Sequence, residues 1–125
     1  TINIFLTNTI ETAAPSIPIS NFFQILYPST NDGIHADVGV GGNIYSITWR
    51  TFIDYGSDVT ATLFLLKDGQ DFKTIATGIP LHNTKNLFNN YAWTVSADYG
   101  NNFSIGLKTS VNDYLYKSGT FSIVP

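Results

Sequence analysis

A chain of 125 residues is the size of a single domain with one hydrophobic core. Its net charge of -3 at pH 7 leaves the six Lys and Arg scattered, with no basic patch, which excludes a nucleic-acid surface. Only 12% of the residues are charged while 14% are aromatic, so Asn, Thr, Ser and Tyr supply a polar, weakly charged surface of the kind that suits strands, glycan contact and subunit packing.

There is no cysteine, which removes disulfides and thiolate metal sites. No methionine is present, even at position 1, so Thr1 reads as a processed N-terminus or a chosen boundary. No apolar run approaches the roughly 20 residues of a membrane-spanning helix.

Residues Thr1 to Thr7 read as a strand, with Ile2, Ile4 and Leu6 on one face and Asn3, Phe5 and Thr7 on the other. Asn8 to Ser20 contains Pro15 and Pro18, which lack the N–H a central strand needs, and reads as an extended tether. Residues 1–20 are therefore set apart from a domain over 21–125. Phe22 to Pro28 is an apolar strand ended by proline, and Asn31-Asp32-Gly33 marks the turn after it. Ile34 to Val40 alternates again and leads into Gly41-Gly42, where the chain turns.

Tyr45, Ile47 and Trp49 then share one face, with Ser46, Thr48 and Arg50 on the other, the period of a half-buried strand. Val59 to Leu66 is the next strand, and Lys67-Asp68-Gly69-Gln70 is a tight hairpin turn returning into Phe72 to Ala76. Pro80 to Asn90 has no clear period and reads as a long loop or crossover, with room for a short helical turn over Asn83 to Phe88. Tyr91 to Val95 carries the second tryptophan, on a sheet expected to lie against the strand of Trp49. Phe103, Ile105 and Leu107 alternate after the turn at Asp98 to Asn101, Asn112-Asp113 turns the chain again, and Ser118 to Val124 closes it. Short strands at regular spacing without a convincing helix predict an all-β, antiparallel immunoglobulin- or fibronectin-like sandwich with an N-terminal extension strand.

From about Ile25 to Val124 the order of motifs adds a resemblance. A strand ending in Tyr27-Pro28 is followed by Val38-Gly39-Val40-Gly41-Gly42 and Tyr45-Ser46-Ile47-Thr48-Trp49. Val59 to Leu65, Ile75-Ala76-Thr77-Gly78-Ile79-Pro80, Tyr91-Ala92-Trp93-Thr94-Val95 and Ser118 to Ile123 complete it. This pattern resembles the Ser-Thr-rich GPI-anchored membrane family, whose β-sandwich module occurs in fungal cell-wall proteins tied to β-1,6-glucan assembly. The resemblance implies a sandwich at the cell surface or outside the cell. It implies no catalytic or binding residue, and residues 1–20 are an addition to it.

A leading strand on a proline-containing tether frays unless it docks. Two geometries are open: the strand covers an edge of its own sandwich, or Ile2, Ile4, Phe5 and Leu6 are donated to a neighbouring copy, with the backbone extending that copy's sheet. Head-to-tail donation that does not close a ring builds a filament. The leading expectation is thus a non-enzymatic structural subunit whose partner is itself.

The rival expectation is a carbohydrate-binding or wall-associated module with a cell-surface polysaccharide as partner. Tyr99 beside the Tyr114 to Tyr116 hairpin is its first candidate site, with Tyr55 and Phe88 also in or near loops. Alternation with polar residues favours burial of Trp49 and Trp93 over sugar stacking. Asn102-Phe103-Ser104 is an N-glycosylation sequon on an expected turn, which makes Asn102 a candidate for modification. Asp54 with Asp58, and Asp68 with Asp71, flank turns where backbone reasons alone collect aspartate, so no catalytic residue is assigned. His35 with Asp37, and Asn31-Asp32-Gly33, lack the spacing of a dedicated metal loop. No cofactor or metal is expected.

Overall fold

The computed structural model describes residues 17–35 and 44–125. One 3-10 turn, Ile19–Asn21, precedes nine strands: β1 Phe23–Tyr27, β2 Gly33–His35, β3 Ile44–Thr51, β4 Thr60–Lys67, β5 Gln70–Pro80, β6 Phe88–Thr94, β7 Gly100–Thr109, β8 Tyr116–Lys117 and β9 Phe121–Val124. They form two packed sheets, as expected of an all-β sandwich. The smaller has the order β1-β3-β6 and the larger β2-β9-β7-β4-β5, with β8 also paired to β7. Pairing is antiparallel except between β2 and β9. The expected leading strand over Thr1 to Thr7 and the Gly41-Gly42 turn lie outside the described residues.

Alternation sets the core. Ile47 and Trp49 of β3 and Trp93 of β6 are buried from the smaller sheet; Ala61, Leu63, Leu65, Phe103, Ile105, Phe121 and Ile123 meet them from the larger. Trp93 and Phe103 both lie against Phe121, with ring centroids 6.1 and 6.2 Å away. Leu66 points to the opposite face yet is fully buried. Gly106 explains it: a Cβ there would stand 2.8 Å from Leu115 Cδ1 and 3.2 Å from Leu66 Cδ1. The segment before β8 thus lays Leu115 over the outer face of the larger sheet, and the missing side chain makes room for it.

Three expectations are corrected. The tryptophan strands do not face each other; β3 and β6 are neighbours in one sheet, with Tyr45 opposite Trp93. Period two reveals which face is buried but not which sheet a strand joins. The crossover after β5 is also shorter, because β5 continues to Pro80 and β6 begins at Phe88. Proline is tolerated there because β5 is an edge strand. The short helical turn does not form: Asn83 and Asn86 adopt left-handed φ of 61° and 62° and interrupt it. The Asp68-Gly69 turn is as expected, with φ of 52° and 79°, the mark of a type I′ hairpin.

Candidate functional site: a groove along the first strand

An opening of about 660 Å³ runs between β1 of the smaller sheet and β8 of the larger. Phe23, Ile25, Phe52, Leu115 and Tyr116 supply its apolar wall; Ser20, Asn21, Gln24 and Lys117 supply polar groups. β1 ends its sheet, so its outer backbone edge pairs with no strand among the described residues. That edge carries Phe23, Gln24, Ile25, Leu26 and Tyr27, with no charge to repel a further strand. A register shift between Ile25 and Tyr27 interrupts pairing with β3 at the far end. The usable edge is therefore the half beside the groove.

Aromatic packing builds the floor. Phe23 stacks on Tyr55 at 5.6 Å and meets Tyr116 edge-on at 4.9 Å. Tyr116 Oη donates to the Ile19 carbonyl at 2.6 Å, which pins the chain across the groove's end just before β1. Burial, with the nearby Tyr55 and Tyr114 a lesser cause, raises the Tyr116 hydroxyl above the ordinary tyrosine range. Tyr55, raised to about 12 by burial alone, has no hydrogen-bond partner for its hydroxyl among the described residues.

The proposed sugar-contact residues do not form one site. Tyr116 is only 4% exposed and serves the core, while Tyr114 is 38% exposed at the groove, its ring 4.7 Å from that of Tyr116. Tyr99 adjoins the start of β7, where Gly100 pairs with Ile123; Tyr116 pairs with Leu107. Seven residues of strand, roughly 23 Å, separate those levels. Tyr55 is buried, and Phe88 is exposed on the other side of β3.

Phe88 belongs to a cluster that sequence reading missed. Arg50, the only arginine of the chain, lies with its guanidinium carbon 5.3 Å from the ring centroids of both Phe52 and Phe88. The signal was present in the outward alternation of Arg50 and Phe52, but the partner strand could not be read.

Other candidates have structural occupations. Asn102 is exposed, with φ of 63°, and its side-chain amide donates to Asp68 Oδ1 at 2.8 Å. Asp32 Oδ2 accepts from Ser29 N at 2.9 Å, from the Ser29 hydroxyl at 3.2 Å and from Tyr45 Oη at 3.4 Å. This carboxylate is committed to its turn; burial first, then Asp32, raises the Tyr45 hydroxyl to about 12. Asp54 and Asp58 are exposed, with Asp54 3.9 Å from Lys85. His82 Nδ1 lies 3.1 Å from the Tyr55 carbonyl. No three His, Asp or Glu side chains converge as a metal site among the described residues. Ile2, Ile4, Phe5, Leu6 and Asp37 lie outside the described residues.

A second, smaller groove of about 290 Å³ lies on the opposite side of the sandwich, between β5 and β6. It is lined by Lys73, Thr74, Thr94 and Ser96 beside Ile75, Tyr91 and Trp93. Lys73 Nζ and Asp98 Oδ2 make an ion pair of 2.6 Å beside it. Compared with family models, curated proteins and solved structures, the chain matches none.

Proposed function

We propose that this chain is a non-enzymatic structural protein of the cell exterior, a subunit of a surface filament or layer joined through its N-terminal strand. The observation that carries this reading is the open, uncharged edge of β1. An unpaired strand edge is a template for another strand, and natural sheets protect such edges with charge, proline or cover. Here β1 itself carries neither charge nor proline and its outer edge pairs with no strand among the described residues, while the sequence of the first seven residues has the apolar alternation expected of a strand, at Ile2, Ile4 and Leu6. The weakly charged surface allows copies to pack repetitively without strong repulsion.

Removal of residues 1–12 tests the reading. The truncated protein is expected to keep the circular dichroism of a β-sheet domain and to lose assembly, seen as the loss of fibres in negative-stain electron microscopy and a fall to monomer mass in solution. Fibres that persist unchanged would sink strand donation.

A carbohydrate-binding module is the second reading, favoured by Tyr114, which stands exposed beside Asn21, Gln24 and Lys117 at the groove. An aromatic face among amide and ammonium donors suits a sugar. Retardation on a polysaccharide affinity gel that survives the truncation and disappears in Tyr114→Ala would move the function to this site.

A further inference from the structure

We infer that the groove between β1 and β8 is the acceptor for residues 1–7 of a second copy of the chain. The inference rests on the strand-donation reading and adds the place and the direction of the subunit contact.

The dimensions agree. The five residues of β1 span about 17 Å, and seven extended residues span about 23 Å, more than enough to cover the half of that edge beside the groove. A strand added to β1 turns alternate side chains into the sandwich. Ile2, Ile4 and Leu6 would then meet Phe23, Ile25 and Tyr116, while Asn3 and Phe5 would share the outer face with Gln24. The added strand would close the gap between the two sheets over the apolar wall.

The other open side is a poorer acceptor. The edge of β5 presents Lys73, and the Lys73–Asp98 ion pair stands beside the smaller, more polar groove there. A charged lysine on an edge strand opposes further pairing. The β1 strand itself carries no charge, and the one charged side chain lining its groove, Lys117, sits on β8 across the gap.

The described chain begins at Ile17, itself on the groove's rim, with sixteen residues before it. Nine residues lie between Thr7 and Ile17, a reach of about 30 Å when extended. That reach is enough for the leading segment to enter the equivalent groove of a neighbour, the placement that strand donation requires.

Because the chain has no cysteine, two introduced thiols report the contact without background. The full-length variant Phe5→Cys/Gln24→Cys is treated, once assembled, with a short bis-maleimide and run on a denaturing gel. The expected result is a ladder of linked chains, with none formed by Phe5→Cys/Thr74→Cys, which places the second thiol on β5. A ladder only from the Thr74 pair would overturn the acceptor assignment and leave strand donation standing. Closure within single chains would overturn the second copy as occupant. Absence of links at both positions, in a protein whose fibres are still lost on removing residues 1–12, would overturn the groove alone. Linked species that stop at two chains would support the groove and overturn the filament.

Discussion

On the β1/β8 side of the sandwich, Phe23, Tyr55 and Tyr116 pack ring on ring beneath an edge whose strand carries no charge. On the β5/β6 side, Lys73, Ser96 and Asp98 form a polar clasp beside the strand ends, next to Trp93. Both sides leave backbone edges open, and a sheet with open edges must either use them or guard them. The clasp guards one edge, and its absence marks the other as the edge available for use. Burying rings against a fixed backbone also holds the β1 groove in shape before anything enters it, which lowers the ordering cost of docking.

The strongest way to break this comparison is to remove the floor. Phe23→Ala should cost about 3–5 kcal/mol, because a buried ring is lost from between two others and the cavity is only partly refilled. Ile75→Ala, at a half-buried position lining the other groove, should cost at most about 2 kcal/mol. Urea denaturation of both variants measures the difference. Equal losses would mean that the two sides are built alike and that the aromatic floor has no special role.

Tyr116→Phe sharpens the comparison by a smaller step. It keeps the ring against Phe23 and removes only the hydrogen bond to the Ile19 carbonyl, worth about 1 kcal/mol, while that oxygen keeps its bond from Phe22 N–H. Amide hydrogen exchange should rise at Asn21 and Phe22, whose N–H groups bond Pro18 and Ile19, and stay unchanged on β5. Faster exchange on both sides would show that the hydroxyl holds the whole fold rather than the groove's end.

These differences were unequally legible in the sequence. Alternation at Tyr45, Ile47 and Trp49, the Asp68-Gly69 turn and the run Phe103, Ile105, Leu107 placed strands and buried faces, since period and turn chemistry are local properties. The neighbourhood of β3 and β6, and of β1 and β8, was not legible, because it depends on chain paths through residues 81–87 and 110–115. Tyr116 was misjudged for the same reason. Its place near an Asn-Asp turn suggests exposure, but Phe23, far away in sequence, packs on its ring and the Ile19 carbonyl accepts from its hydroxyl. Arg50 was visible as an outward residue, but its clamp needs Phe88 from a strand that sequence separates from it by a crossover. The groove itself is a gap between two sheets, a feature that no single stretch encodes.

The smallest expected effect lies in the clasp and depends on pH. Hydrogen bonds from Lys73 and then Ser96, with the lysine's charge adding to them, hold the Asp98 carboxyl below its ordinary value of 3.8 against a smaller opposing cost of burial. A carboxyl whose folded value is depressed stabilises the fold above the unfolded value, and that contribution is lost as pH falls through the folded one. The clasp's contribution should therefore be full at neutral pH and begin to decline only as pH falls below about 4. Its side chains are 41% and 27% exposed, so solvent screening keeps the ion pair's contribution within about 1 kcal/mol. Asp98→Asn should lower stability by no more than that at pH 6, and the gap between the variant and the parent should narrow as pH falls toward 3. Salt at 1 M, with a screening length of about 3 Å, should narrow the same gap at pH 6. A gap that persists unchanged at pH 3 would show that the Asp98 side chain acts there through its shape rather than its charge. The edge of β5 would then owe its guard to Lys73 alone, and Lys73→Thr would be the variant expected to open a second acceptor.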